Sequence, residues 1–242
     1  MGHAEGRGQG GRISELHDVL KAIEQGRTDG HRMALATIVA VEGSTYRREG
    51  ARLLIPEHGK PVGTISGGCL EGDVREAAKE VMEAGTPRLM HFDLTADDEV
   101  VWGWGLGCNG VIDVFVEPAE GAFQTAGAVR RALDQEQRLA LATVIEAEQA
   151  RGPSPGSRML IHPDGTTEGS LGDEDTGERV KQAALQALED ERSRTVEIEK
   201  GVRAFIEILT PPLRLLVCGA GHDAIPLVRS AGGLGWRVEV VD

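Results

Sequence analysis

Residues 34–93 recur at 140–199, offset by a constant 106 positions with no gap. Ala34-Leu35-Ala36-Thr37 returns as Ala140-Leu141-Ala142-Thr143. Gly50, Arg52, Leu54, Ile55, Gly59 and Gly63 return as Gly156, Arg158, Leu160, Ile161, Gly165 and Gly169. Identities fall at 16 of the 60 positions. A repeat of this kind restricts the chain to folds built from two like units. A second correspondence, Val114-Phe115-Val116-Glu117 with Ala204-Phe205-Ile206-Glu207, has an offset of 90, so the first copy carries 16 extra residues between Leu94 and Val111.

The patterning gives each unit the same elements. In the first, Met33–Val41 is a β-rich run, and Ala51–Ile55 and Pro61–Ser66 flank a hairpin turn at His58-Gly59. Leu70, Val74, Ala77, Ala78, Val81 and Met82 make Leu70–Ala84 an amphipathic helix ended by Gly85, and Arg88–Leu94 is a further strand. The expected fold is α/β. An N-terminal α+β domain over residues 13–209 contains two β-β-β-α-β repeats, 34–117 and 140–209. Residues 213–242 follow as the first, incomplete βαβ of a Rossmann-like domain, cut short or completed by another chain. Residues 1–12 are expected to form a disordered arm. A helix runs from a cap at Ser14 to Gln25 and stops at Gly26, and a second helix, Ala122–Gln137, joins the units.

Composition narrows the function classes. A net charge of −13 argues against nucleic acid or an anionic membrane as partner. No run is long enough to span a bilayer, and the Gly-rich N-terminus lacks the apolar core of a secretory signal. Three cysteines, Cys69, Cys108 and Cys218, form no Cys-x-x-Cys pair, which suits a reducing cytoplasm.

The units differ where chemistry is expected. Ser66-Gly67-Gly68-Cys69 sits between a strand and a helix, where open amides and the helix dipole favour an anion and lower a thiol's pKa. The second copy has Gly172-Asp173-Glu174-Asp175 there, whose carboxylates would fill the helix start. Arg47, in the loop Gly43–Gly50, suits bidentate phosphate contact; Pro153 replaces it in copy two. The extra segment contains Trp102-Gly103-Trp104-Gly105-Leu106-Gly107-Cys108, whose tryptophans could stack on a flat ring. Gly219-x-Gly221-x-x-Ala224 follows a strand, opens a helix and precedes Asp242 by the spacing of a dinucleotide-binding unit, although His222-Asp223 places an anion beside the expected pyrophosphate.

These motifs resemble the XdhC/CoxI family of accessory proteins for xanthine dehydrogenase and related molybdenum hydroxylases. The resemblance is carried by Gly43-Ser44-Thr45, Arg47, Gly50-Ala51-Arg52, Gly63-Thr64-Ile65-Ser66-Gly67-Gly68-Cys69-Leu70-Glu71, Gly105-Leu106-Gly107-Cys108 and Cys218-Gly219-Ala220-Gly221-His222-Asp223-Ala224. The chain departs from the family pattern at Tyr46, where proline is usual, at Ser66 and Asn109, where glycine is usual, and at Trp104, where an aliphatic residue is common. The family's second domain continues beyond the position of Asp242.

The resemblance implies a protein that binds the molybdenum cofactor, holds it during sulfuration by a cysteine desulfurase, and assists insertion into a client such as xanthine dehydrogenase. A homodimer is expected. Arg47, Gly67 and Gly68 would hold phosphate or oxo ligands, with Trp104 and Gly107 lining the site. Cys69 would contact molybdenum, or relay sulfur with Cys108, so the two cysteines should converge. Gly219, Gly221 and Asp242 would serve NAD(P) in a complete second domain. Two rivals remain: a nicotinamide-linked oxidoreductase using that turn, and a scaffold that only docks a dehydrogenase or desulfurase.

Overall fold

A computed structural model describes residues 9–95, 109–148 and 152–242. The elements in chain order are α1 (Gln9–Thr28), β1 (Met33–Ser44), β2 (Arg52–Pro56), β3 (Val62–Gly63), α2 (Glu71–Ala84), β4 (Arg88–Asp93), β5 (Asn109–Pro118), α3 (Ala119–Asp134), β6 (Leu139–Ala147), β7 (Arg158–Ile161), β8 (Thr167–Gly169), α4 (Glu174–Glu189), β9 (Arg194–Glu199), β10 (Val202–Leu209), β11 (Arg214–Cys218), α5 (Ala224–Gly233) and β12 (Arg237–Val241).

The repeat is a repeat of topology. The first unit forms an antiparallel sheet ordered β3-β2-β1-β5-β4, and the second forms β8-β7-β6-β10-β9. Each unit is therefore β-β-β-α-β plus the closing strand seen at offset 90. Both copies carry a β-bulge beside equivalent residues. The β1–β5 register shifts between Ile38 and Ala40, around Val39, and the β10–β6 register shifts opposite Ile145. Val39 and Ile145 lie 106 positions apart, so the kink belongs to the unit.

Each sheet is covered on both faces, and strand alternation sorts the residues. Ala34, Ala36 and Ile38 face α2 with Val74, Ala78 and Val81, and Ala140, Ala142 and Val144 face α4 with Val180, Ala184 and Ala187. On the opposite faces Val39 and Phe115 of one sheet pack against Ile145 and Phe205 of the other. Helices α1 and α3 close the flank through Leu16, Val19, Ile23, Ala122, Val129 and Leu133. Thr195 Oγ1 donates to the carbonyl of Val39 at 2.6 Å, tying the second sheet to the first sheet's bulge.

Two ion pairs cross this interface reciprocally. Arg52 binds Glu207 of the other unit, with one bond at 2.9 Å, and Arg158 binds Glu117. All four side chains are at most 10% exposed. Each arginine also donates to the carbonyl of the glycine two residues before it, Gly50 at 2.8 Å and Gly156 at 3.0 Å. Burial pushes the Glu117 carboxyl up despite the attraction of Arg158 and Arg52.

Some boundaries differ from the sequence reading. Helix α1 begins at Gln9, inside the segment expected to be a disordered arm. It also continues through Gly26 to Thr28, because the missing side chain there makes room for Met33: a Cβ would stand 2.4 Å from its sulfur. The chain turns at Gly30, whose φ is +73°. Strand β3 ends at Gly63 because φ is +88° there and the backbone then bends into a capping loop. Helix α3 starts at Ala119, directly after Pro118 fixes the end of β5.

The last three elements form the expected βαβ. Strands β11 and β12 pair in parallel, from Arg214↔Arg237 to Cys218↔Val241, with α5 as the crossover. Leu213, Leu216, Ile225, Leu227, Leu234, Val240 and Val241 of this unit are exposed.

Candidate functional site

The loop between β3 and α2 is built from its two anchors. Ile65 and Leu70 are buried beneath α2, while Gly67 and Gly68 between them face outward. Ser66 organises the turn. Its hydroxyl accepts from the amides of Gly68 at 3.0 Å and Leu70 at 3.2 Å and donates to Glu71 Oε2. Glu71 Oε1 accepts from the Ser66 amide at 3.1 Å. Thr64 Oγ1 lies 2.9 Å from the Ser66 carbonyl and 3.2 Å from Glu71 Oε1, so its single proton serves one or the other. Burial pushes the Glu71 carboxyl up, but the bonds from Ser66 and Thr64 outweigh it and hold the group below the usual carboxylate range.

This corrects the contrast between the copies. In copy two Asp173 caps α4 as expected, accepting from the Thr176 amide at 2.8 Å. Copy one also has a carboxylate at its loop, Glu71, which folds back from the first turn of α2. The amides of Gly67 and Cys69 stay outside the Ser66–Glu71 cap.

An open cleft of about 690 Å³ runs along this loop. Its walls include Tyr46, Thr64, Gly67, Gly68, Glu71 and Arg75. Tyr46 is 68% exposed, and a Cβ on Gly67 would stand 3.9 Å from its ring. Space around Gly68 is open, with nothing within 4 Å of a Cβ there. Arg75 has no carboxylate at ion-pair distance among the described residues.

The candidate residues divide accordingly. Gly67 and Gly68 line the cleft. Cys69 does not line the cleft; it is a half-buried free thiol that packs against the α2 core. Arg47 does not line the cleft; its guanidinium is engaged by Glu15 of α1. Trp104, Gly107 and Cys108 lie outside the described residues, and so does the expected convergence of Cys69 with Cys108. The described flanks of that segment sit near the Tyr46 loop: Asn109 pairs with Ser44 in the β1–β5 ladder, and the Leu94 amide donates to Gly110. The sequence reading missed Tyr46, Thr64, Glu71 and Arg75 as lining residues. The signal for Arg75 was its place one helical turn after Glu71, beside the buried Val74.

Among the described residues no three His, Cys, Asp or Glu side chains group as a metal site, so Cys69 offers a single soft donor. At the βαβ unit, Gly219 has φ +107° and its amide donates to Val241 at 2.7 Å, which sets the Gly turn beside Asp242. A Cβ on Gly221 would meet Asp223 Oδ1 at 2.6 Å, so a carboxylate already occupies the turn where a pyrophosphate would approach. Among the described residues no helix is long and apolar enough to cross a membrane.

Two like sheet-and-helix units, one bearing a cleft lined by Gly67 and Gly68, followed by a parallel βαβ, define a cleft-bearing α/β protein with an internal duplication. The chain belongs to the XdhC and CoxI family, which matches residues 27–93 and 132–199, one stretch in each unit. It is similar to a probable xanthine dehydrogenase subunit of Bacillus subtilis (strain 168), 31% identical over 237 residues, covering 95% of this chain and 64% of that protein. It is also similar to the molybdenum cofactor insertion chaperone PaoD of Escherichia coli (strain K12), 30% identical over 74 residues, covering 31% of this chain and 23% of that protein. The crystal structure of a xanthine dehydrogenase from Bacillus halodurans superposes with a TM-score of 0.69 at 29% identity, over 91% of this chain and 61% of that one. The chain thus spans less than two thirds of the length of these relatives.

Proposed function

We propose that this protein is an accessory factor that holds the molybdenum cofactor in the cleft of its first unit, while the cofactor is sulfurated and passed to a xanthine dehydrogenase-type hydroxylase. One observation carries this reading: both units belong to one family of folds, yet only the first has a Gly67-Gly68-Cys69 loop opening on a cleft. The residues fit a flat pterin with a phosphate and a sulfur-ligated metal. Gly67 and Gly68 leave room for close approach, and the Gly67 and Cys69 amides are outside the cap. The cleft supplies an aromatic ring at Tyr46 and a cation at Arg75. When bound, the cofactor supplies the metal and the position that receives sulfur. Cys69 supplies a sulfur on the same loop, and the Ser66–Glu71 cap ties that loop to the start of α2. A cysteine desulfurase and the hydroxylase are the implied partners, with a homodimer as the implied assembly.

The test is the content of molybdenum and pterin in protein purified from a molybdate-replete host. Wild type and an Asp173→Ala control in the second unit should carry both, and Cys69→Ala should lose molybdenum. NAD(H) without pterin in the wild type overturns the reading in favour of an oxidoreductase. Hydroxylase capture with no molybdenum or pterin in any variant reduces the protein to a docking scaffold.

A further inference from the structure

From the geometry of the cleft we infer that Tyr46 and Arg75 form a two-point clamp for a flat heteroaromatic ring bearing an anionic group, with the ring on Tyr46 and the anion at Arg75. The inference deepens the proposed function and rests on it for the pterin. Tyr46 is the chain's single tyrosine and is 68% exposed in the β1–β2 loop. A ring left this exposed gains nothing from the core, whereas it offers a stacking face across the cleft from α2. It stands beside Gly67, where a Cβ would only reach ordinary contact with the ring at 3.9 Å, so the loop leaves the ring uncrowded.

Arg75 is the second point. It stands on the exposed face of α2, one turn after Glu71, in a protein with net charge −13. Of the two arginines in the Tyr46 loop, Arg47 is paired with Glu15 and Arg48 lines a different cleft, so among the described residues the cation lining this cleft is Arg75. Arg75 and Pro61 also line an adjoining cleft of about 380 Å³ that extends past Lys79. An anionic substituent therefore has space on either side of the guanidinium. Copy two provides the internal contrast: Gly152 and Lys181 stand at the positions of Tyr46 and Arg75, so the ring does not recur at that position.

The probe is pterin-6-carboxylate, a flat ring with one anion, and the readout is quenching of its own fluorescence by the full chain. Unsubstituted pterin is the uncharged companion. Both side chains are exposed, and unchanged circular dichroism and thermal midpoints establish that the variants are folded. Tyr46→Phe should bind within about twofold of wild type, and Tyr46→Ala should lose about tenfold for both compounds, the range of one lost stacking contact. Arg75→Gln should weaken pterin-6-carboxylate about tenfold and leave unsubstituted pterin unchanged. The clamp is overturned if wild type binds neither compound, if Tyr46→Ala binds as wild type, or if Arg75→Gln affects both compounds equally. Molybdenum-loaded protein whose pterin binding ignores Tyr46 sinks the clamp and leaves the accessory role. Clamped pterin in protein that never carries molybdenum supports the clamp and sinks that role.

Discussion

Arg52 of the first unit reaches past the sheet it belongs to and binds Glu207 of the second. The repeat-equivalent arginine, Arg158, does the same in reverse with Glu117. Breaking one such buried pair strands a charge, so Glu207→Gln should cost about 3–5 kcal/mol in urea unfolding. The double variant Arg52→Met with Glu207→Leu should recover most of that loss. Additive losses in the double variant would show that the two residues are not coupled.

Glu71 and Glu117 should leave opposite marks on stability as pH changes. The folded-state pKa of Glu71 is lowered, so its contribution is complete above the unfolded carboxylate range and is lost as pH falls through the lowered value. The stability gap between wild type and Glu71→Gln should therefore be full above about pH 5 and close in acid. Glu117 is raised by burial, so its contribution is present below the unfolded value and is lost as pH rises through the raised one. The gap between wild type and Glu117→Gln should shrink toward neutral pH. Unfolding curves across a pH series read both slopes, and parallel slopes would contradict the assignment.

Gly63→Ala should destabilise the protein more than Gly68→Ala. Both backbones have positive φ, which alone costs a side chain about 1–3 kcal/mol. At Gly63 a Cβ would also stand 2.3 Å from the Arg52 carbonyl oxygen, whereas at Gly68 it meets open space. Thermal midpoints of the two variants decide this, and equal shifts would count against it.

Thr195→Val should loosen the contact between the sheets. The hydroxyl bond to Val39 at the bulge is replaced by a methyl, leaving a carbonyl unsatisfied at a cost of about 1–3 kcal/mol. Amide exchange around Val39 should accelerate while exchange in α4 stays as in wild type.

The parts legible in the sequence are those set by short-range spacing. The offset of 106 places β1 and β6, the hairpins, and α2 and α4, and the Gly219 turn foretells the parallel pairing of β11 with β12. What stayed hidden depends on partners far along the chain. Arg52 and Glu207 are 155 positions apart, and nothing local shows that each arginine chooses the glutamate of the other unit. Arg47 reads as a free phosphate ligand until α1 brings Glu15 against it, 32 positions away. The same holds for Glu71: its first-turn position suggests a dipole effect, but only the fold shows it turned back to fix Ser66. Gly26 misleads in the opposite sense, because the packing of Met33 outweighs its tendency to end a helix.

The crossed arginine–glutamate pairs carry an implication for ancestry. A single unit meeting an identical copy of itself about a two-fold axis would form the same two bonds, each copy giving one arginine and accepting one. The crossed pairs of the present chain are those that such a dimer, fused end to end, would keep. Fusion frees the halves from having to be identical, so the loops before α2 and α4 can diverge while the seam that needs both partners is kept.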